Sequence, residues 1–364
     1  MALRIHHDIA SLSPYVPGTA VEDLERKFGI SRAIKLASNE NPLGPSPKAI
    51  AVLGEAASTL NRYPDGGARR LREALAARWK VTPDHVVLGN GSDEIIGFLA
   101  RTFLAPGEEA VMADQTFVIY KMEVTAAHGV PVEVPLTEWR HDLPRLADAI
   151  TDRTRLLFVC NPNNPTGTMV TADEVQALMR RVPEQVVVVF DEAYYEYVTS
   201  QAYPETLRYV HEHRHVVVLR TFSKIYGLAG LRVGYGLTTP EIAGYLNRVR
   251  PPFNANSLAQ RAALAALDDE DHVSRSRALN QNERQAVCTS LRALGFEPVP
   301  SETNFVFFDV GRDGRAVFEA LLREGVIVRH IAGPMLRVTI GLPEENRAFL
   351  KALAKVLDRS PMPS

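Results

Sequence analysis

The sequence predicts an α/β fold in two domains: a large one built on a mainly parallel seven-stranded sheet, and a smaller α+β one after it. Three observations carry this. Seven short apolar runs, at 86–88, 110–113, 132–134, 156–160, 186–190, 216–219 and 233–237, are mostly separated by helix-like stretches. That alternation marks strands joined by helical crossovers. The pattern changes after Pro251-Pro252, where long helical stretches begin and strands become sparse. Finally, clusters of polar residues directly follow several of the apolar runs, at the strand ends where open α/β sheets bind ligands.

In chain order, residues 1–40 read as an arm that packs on the smaller domain. The large domain spans 41–250, with helices expected at 68–79 and 93–103 between its strands. The small domain spans 251–364: helices over 256–294, a strand at 304–309, a helix, two short strands and a last helix at 344–357. A chain of 364 residues, 46% of them hydrophobic, has the material for a core of that size. Its net charge of −2 has no basic bias, which argues against nucleic acid as a partner. No apolar run reaches the length of a membrane span, and the first residues lack the apolar stretch of a signal peptide. The two cysteines, Cys160 and Cys288, make neither a disulfide framework nor a metal spacing, so a reducing cytoplasm is expected. His211, His213 and His215 have no nearby cysteine or carboxylate cluster; a solvated loop suits them better than a metal site, and none is expected.

Lys224 is the most informative residue. It follows the run at 216–219, next to Ser223 and eight residues before Arg232. A strand-end lysine so placed suits a Schiff base to an aldehyde cofactor, with Ser223 and Arg232 holding the cofactor's phosphate. By itself the segment also reads as a surface lysine in a glycine-rich loop. Two further segments decide between these. The run ending at Cys160 breaks into Asn161-Pro162-Asn163-Asn164-Pro165-Thr166-Gly167, and the run ending at Phe190 continues into Asp191-Glu192-Ala193-Tyr194. Pyridoxal 5′-phosphate needs an anion at its ring nitrogen, which Asp191 supplies, and hydrogen bonds at O3′, for which Asn164 and Tyr194 fit. Gly89-Asn90-Gly91-Ser92-Asp93 follows a strand and opens a helix, so its backbone N–H groups suit a phosphate. The plainer reading is a helix start capped by Ser92 or Asp93. Glu94 stands where a dinucleotide fingerprint needs its third glycine. Arg337 lies in an otherwise apolar strand, and a buried arginine needs an anion, here a substrate carboxylate or phosphate; Arg329 could add a second positive charge.

In this order, Asn-Pro-Asn-Asn-Pro-Thr-Gly, Asp-Glu-Ala-Tyr and Thr221-Phe222-Ser223-Lys224 with Gly227-Leu228-Ala229-Gly230-Leu231-Arg232 resemble the fold-type I aminotransferases of class I/II. The likeness is greatest to the histidinol-phosphate branch. It extends through Leu36-Ala37-Ser38-Asn39-Glu40-Asn41-Pro42, Asn61-Arg62-Tyr63-Pro64 and Leu336-Arg337-Val338-Thr339-Ile340-Gly341. The resemblance implies a pyridoxal phosphate enzyme with cofactor contacts from Ser92, Asp93, Thr221, Ser223 and Arg232, and Phe117 stacked on the ring. It also implies a homodimer in which Tyr63 reaches the partner's cofactor, and substrate contacts from Tyr15 and Asn39. Gln115 stands where the family more often has proline, and the 330–336 segment is shorter than in the branch.

The expected reaction is transamination of L-histidinol phosphate with 2-oxoglutarate to imidazole-acetol phosphate and L-glutamate. Lys224 would move the proton as general base and acid. The first alternative is an aromatic amino acid aminotransferase using phenylalanine or tyrosine. A pyridoxal phosphate-dependent decarboxylase is a second, since the same cofactor residues would serve it. A cofactor-binding regulator would need an appended helix-turn-helix domain, for which the arm before Leu36 is too short.

Overall fold

A computed structural model describes residues 3–14 and 18–359. The strands, in chain order, are β1 (Ile34–Lys35), β2 (Val86–Gly89), β3 (Glu109–Ala113), β4 (Val130–Val134), β5 (Thr154–Cys160), β6 (Val187–Asp191), β7 (Val216–Thr221) and β8 (Gly234–Thr238). They continue as β9 (Pro298–Val299), β10 (Phe305–Asp309), β11 (Val326–Ile327), β12 (Arg329–His330) and β13 (Met335–Thr339). Seven of them form one sheet in the order β2-β8-β7-β6-β5-β3-β4. Strands β3, β6, β7 and β8 are buried along their whole length, as expected where helices cover both faces. One face packs Leu71, Leu75, Ala259 and Ala262, from helices Arg69–Trp79 and Ser257–Leu267. The other packs Ile95, Phe98, Leu99 and Tyr120, from helices Ser92–Phe103 and Ile119–Ala126.

The sheet is mainly parallel, with one exception. Strand β8 runs antiparallel to both β7 and β2. Returning in parallel from β7 would take a helical crossover. The residues between β7 and β8 form the Lys224 loop and a short 3-10 turn, Ala229–Leu231, so the chain comes straight back.

The C-terminal sheet, β12-β13-β10-β9, is antiparallel. Helices Glu270–Ala293, Gly314–Arg323 and Pro343–Arg359 cover it through Leu291, Leu321, Phe349 and Leu353. The helical stretch expected over 256–294 is two helices, because Asp269 starts the second by accepting from the His272 N–H at 3.3 Å. The same carboxylate accepts from the Ser46 hydroxyl at 2.6 Å. Three short strands replace the expected late pair, since β11 turns away to pair in parallel with β1. Residues 1–40 contact both parts of the molecule. Helix Val21–Phe28 buries Leu24 against Ile327, while Asp8 lies 2.9 Å from His128 Nδ1, just past helix Ile119–Ala126.

Candidate active site

The segments following β2, β3, β5, β6 and β7 converge beyond the C-terminal ends of these strands, beside the point where the strand order reverses between β3 and β5. Open parallel sheets leave a crevice at that place. A cavity of about 230 Å³ lies there, lined by Asp93, Phe117, Asn164, Asp191, Tyr194 and Lys224 among others.

Asp191 ends β6 and is buried. Its Oδ2 accepts from the Tyr120 hydroxyl at 2.6 Å, and its Oδ1 from the Ala193 N–H at 3.2 Å. Burial pushes the carboxyl up to about 6, although both hydrogen bonds favour the ionised form. Phe117 presents its ring to Tyr120 edge-on, with centroids 5.6 Å apart.

Lys224 follows β7. Its Nζ donates to the Ser38 carbonyl at 3.3 Å and lies 5.6 Å from the Tyr194 ring centroid. Burial lowers its pKa to about 8, helped by the positive charges of Arg337 and Arg232. The loop is stapled to the segment carrying Ser38 and Asn39. Gly227 has φ of +67°, and a Cβ there would sit 2.1 Å from the Gly44 carbonyl oxygen. That close approach lets the Ser46 N–H reach the Tyr226 carbonyl at 3.1 Å, and Asn41 Nδ2 the Ile225 carbonyl at 2.7 Å. Within the loop, the Ser223 N–H donates to Thr221 Oγ1 at 3.1 Å.

At the other end of the cavity, helix Ser92–Phe103 begins at Gly91, with no side-chain cap from Ser92 or Asp93. A Cβ on Gly91 would lie 2.1 Å from Asp93 Oδ1 and 2.4 Å from Arg232 Nη2. Only glycine fits this cradle. Arg232 Nη2 donates to both Asp93 carboxylate oxygens, at 2.9 and 3.2 Å. The cradle therefore combines free helix N–H groups with a guanidinium, a combination suited to an anion.

Asn164 Oδ1 accepts from Arg337 Nη1 at 2.5 Å, and Arg337 Nη2 donates to the Ala37 carbonyl at 2.7 Å. The Tyr194 hydroxyl accepts from Asn39 Nδ2 at 2.8 Å. Asn39 adopts φ of +57°, and Thr339 Oγ1 accepts from its N–H at 2.9 Å. Arg329 on β12 sits opposite Arg337 on β13. Both line a second cavity of about 630 Å³ that shares Phe117 and Asn164 with the first and is bounded by Ser11 and Pro14 of the arm.

One expected residue is not in this assembly. Tyr63 is 83% exposed and stacks on Phe253 at 4.7 Å, over a separate surface depression. Tyr15 lies outside the described residues. His215 Nδ1 lies 2.5 Å from the Glu184 carbonyl oxygen. Among the described residues no three His, Cys, Asp or Glu side chains are grouped to hold a metal. Sequence reasoning missed Tyr120 as a partner of Asp191, because 71 residues separate them. It also passed over Ser38, whose motif was noted but whose carbonyl meets Lys224 only in the folded chain.

Residues 31–353 match the family described as aminotransferase class I and II. A histidinol-phosphate aminotransferase from Moorella thermoacetica is 51% identical over 354 residues, covering 96% of this chain and 92% of its own. Histidinol-phosphate aminotransferase 2 from Pseudomonas fluorescens is 49% identical over 358 residues, 97% of each. Among solved structures, a histidinol-phosphate aminotransferase from Sinorhizobium meliloti, in complex with pyridoxal-5′-phosphate, superposes with a TM-score of 0.90 at 31% identity. That match covers 98% of both chains.

Proposed function

The chain belongs to the class I and II aminotransferases, and from that premise we propose that it is a pyridoxal 5′-phosphate-dependent histidinol-phosphate aminotransferase of histidine biosynthesis. It interconverts L-histidinol phosphate and 2-oxoglutarate with imidazole-acetol phosphate and L-glutamate. One observation carries the reading: the half-buried Lys224 amine shares a cavity with the Asp191 carboxylate and with Asp93 and Arg232 of the cradle at Gly91. That donor set fits the cofactor, with an anion for the ring nitrogen, an amine for the aldehyde, and helix N–H groups with a guanidinium for the phosphate.

When bound, the cofactor ring supplies an electron sink for the carbanion formed at the donor's Cα. The chain's own residues do the rest. Lys224 carries the proton at Nζ, and with its pKa lowered to about 8 it offers neutral amine near neutral pH. Asp191, as the carboxylate, holds the proton at the ring nitrogen. Tyr194 and Asn164 hydrogen-bond O3′, while Asn39 orients the Tyr194 hydroxyl. Ser92, Asp93, Thr221, Ser223 and Arg232 position the phosphate, and Phe117 packs on the ring. Arg337 takes the substrate's anion, since a guanidinium fork matches carboxylate and phosphate alike. Arg329 adds charge for a phosphate dianion, and Tyr15 and Asn39 are the further substrate contacts that the family likeness implies.

The active form in this reading is a homodimer in which the partner's Tyr63 reaches this subunit's cofactor phosphate. It acts in the cytoplasm, where the free thiols of Cys160 and Cys288 stay reduced. Its small-molecule substrates enter between the large domain and the small C-terminal one, with residues 1–40 as an arm; helix Ser257–Leu267, expected in the small domain, packs on the large domain's sheet. No helix among the described residues is long and apolar enough to cross a membrane.

Side-by-side transamination assays with histidinol phosphate and phenylalanine test the reading. The expected result is a higher kcat/KM for histidinol phosphate. A preference for phenylalanine would replace it with the aromatic aminotransferase.

A further inference from the structure

We infer that Tyr120 is a positioning residue for the reaction: its hydroxyl fixes the Asp191 carboxylate in the orientation and charge state that the cofactor's ring nitrogen requires. The inference rests on the proposed function, which places that ring beside Asp191.

Four observations support it. The Tyr120 hydroxyl donates to Asp191 Oδ2 at 2.6 Å, while the Ala193 N–H takes Oδ1, so each carboxylate oxygen has one protein donor and keeps lone pairs for the ring. The tyrosine is fully buried and cannot swing away. Its ring is stacked on Phe158, with centroids 4.7 Å apart and planes 10° apart, while Phe117 meets it edge-on. Phe117 also lines the cavity, so one side chain braces both the carboxylate and the aromatic expected over the ring. Lastly, burial holds the Tyr120 hydroxyl well above the usual tyrosine range, so it remains a donor throughout the working pH.

The effect of such a donor follows from its geometry. Asp191 sits where burial favours its neutral form, and a neutral carboxyl is a poor partner for a pyridinium. The Tyr120 O–H stabilises the carboxylate and opposes that tendency. Without it the carboxylate is more basic, and a proton shared with the ring nitrogen shifts toward Asp191. An ordinary core tyrosine that had merely found an acceptor would contribute stability and nothing else.

The test uses the cofactor-loaded enzyme with Tyr120→Phe, Asp191→Asn and the double variant. Tyr120→Phe keeps the ring stack and removes only the hydroxyl. Its kcat is expected to fall about tenfold with KM little changed. The pH midpoint of the cofactor's visible absorbance is expected to move by roughly half a unit or more. The double variant should be no slower than Asp191→Asn alone, because Tyr120 then has no carboxylate to act through. Unchanged kcat and midpoint in Tyr120→Phe, with Asp191→Asn impaired, would overturn the inference and leave the proposed function standing. Additive losses in the double variant would overturn it too. Near-full turnover of Asp191→Asn would instead remove the reading beneath it.

Discussion

Lys224 shows how burial turns a common side chain into a reagent. An exposed lysine is almost wholly protonated at neutral pH, whereas loss of solvent and the nearby Arg337 and Arg232 bring this one to about 8. The reactive form is the neutral amine. Uptake of pyridoxal phosphate by the cofactor-free protein should therefore rise about tenfold per pH unit below that value and level off above it. Stopped-flow absorbance across pH checks this, and a rate still climbing steeply near pH 10 would mean an unshifted lysine. Lys224→Ala should retain cofactor by its phosphate contacts yet lose turnover by several orders of magnitude, since nucleophile and proton carrier disappear together. For substrate choice the informative residue is Arg329. Its replacement by alanine should weaken histidinol phosphate more than glutamate, by roughly 1.5–3 kcal/mol for a hydrogen bond between charged groups. Equal losses in kcat/KM for the two would assign it no phosphate-specific role.

At the scale of elements, the catalytic end of the sheet is tied together by a buried ion pair. Glu192, just past β6, accepts from Arg220 of β7 at 2.7 and 3.1 Å, and the Thr206 hydroxyl also donates to it. The guanidinium lies 3.4 Å from the Tyr195 ring centroid and 4.0 Å from that of Trp79. Breaking such a pair leaves a charge without its counterion in the core. Glu192→Ala should thus cost about 3–5 kcal/mol in urea unfolding, and adding Arg220→Met should recover part of it. A single-variant cost below about 1 kcal/mol would mark the pair as solvent-like. The cradle at the start of helix Ser92–Phe103 makes a second element-scale prediction. Gly91, at φ of +88° and ψ of 163°, occupies backbone space that is nearly glycine-only. Gly91→Ala should therefore weaken cofactor retention on dialysis much more than it lowers the melting temperature.

For the whole molecule, the exposed Tyr63 is the residue that a single chain leaves unexplained. It is not among the residues lining the cavity at Lys224, and its ring forms an exposed stack with Phe253. If it completes the partner's site, inactive Lys224→Ala mixed with a Tyr63→Ala variant should form hybrids in which one site has native composition. At equal mixing such hybrids should restore about a quarter of wild-type activity. No recovery after subunit exchange has been verified by mass would argue against action in trans.

Sequence alone determined the seven strands of the large sheet and the polar residues that follow them. Apolar runs such as 156–160 and 216–219 lie within β5 and β7 because fully covered strands bury every side chain, and local composition records that directly. Asp191 was legible for the same reason, being the polar residue where an apolar run stops, and Lys224 because it stands five residues past such a run, next to Ser223 and eight residues before Arg232. Tertiary structure decided which of these groups meet. The antiparallel course of β8 follows from the space taken by the Lys224 loop, which no periodicity encodes. Arg337 meets Asn164 across 173 residues of chain, Asn39 meets Tyr194 across 155, and Tyr120 meets Asp191 across 71. Hydrophobic pattern reports whether a side chain is buried, but the partner of a buried polar atom is set by how the layers stack, and that depends on the whole chain at once.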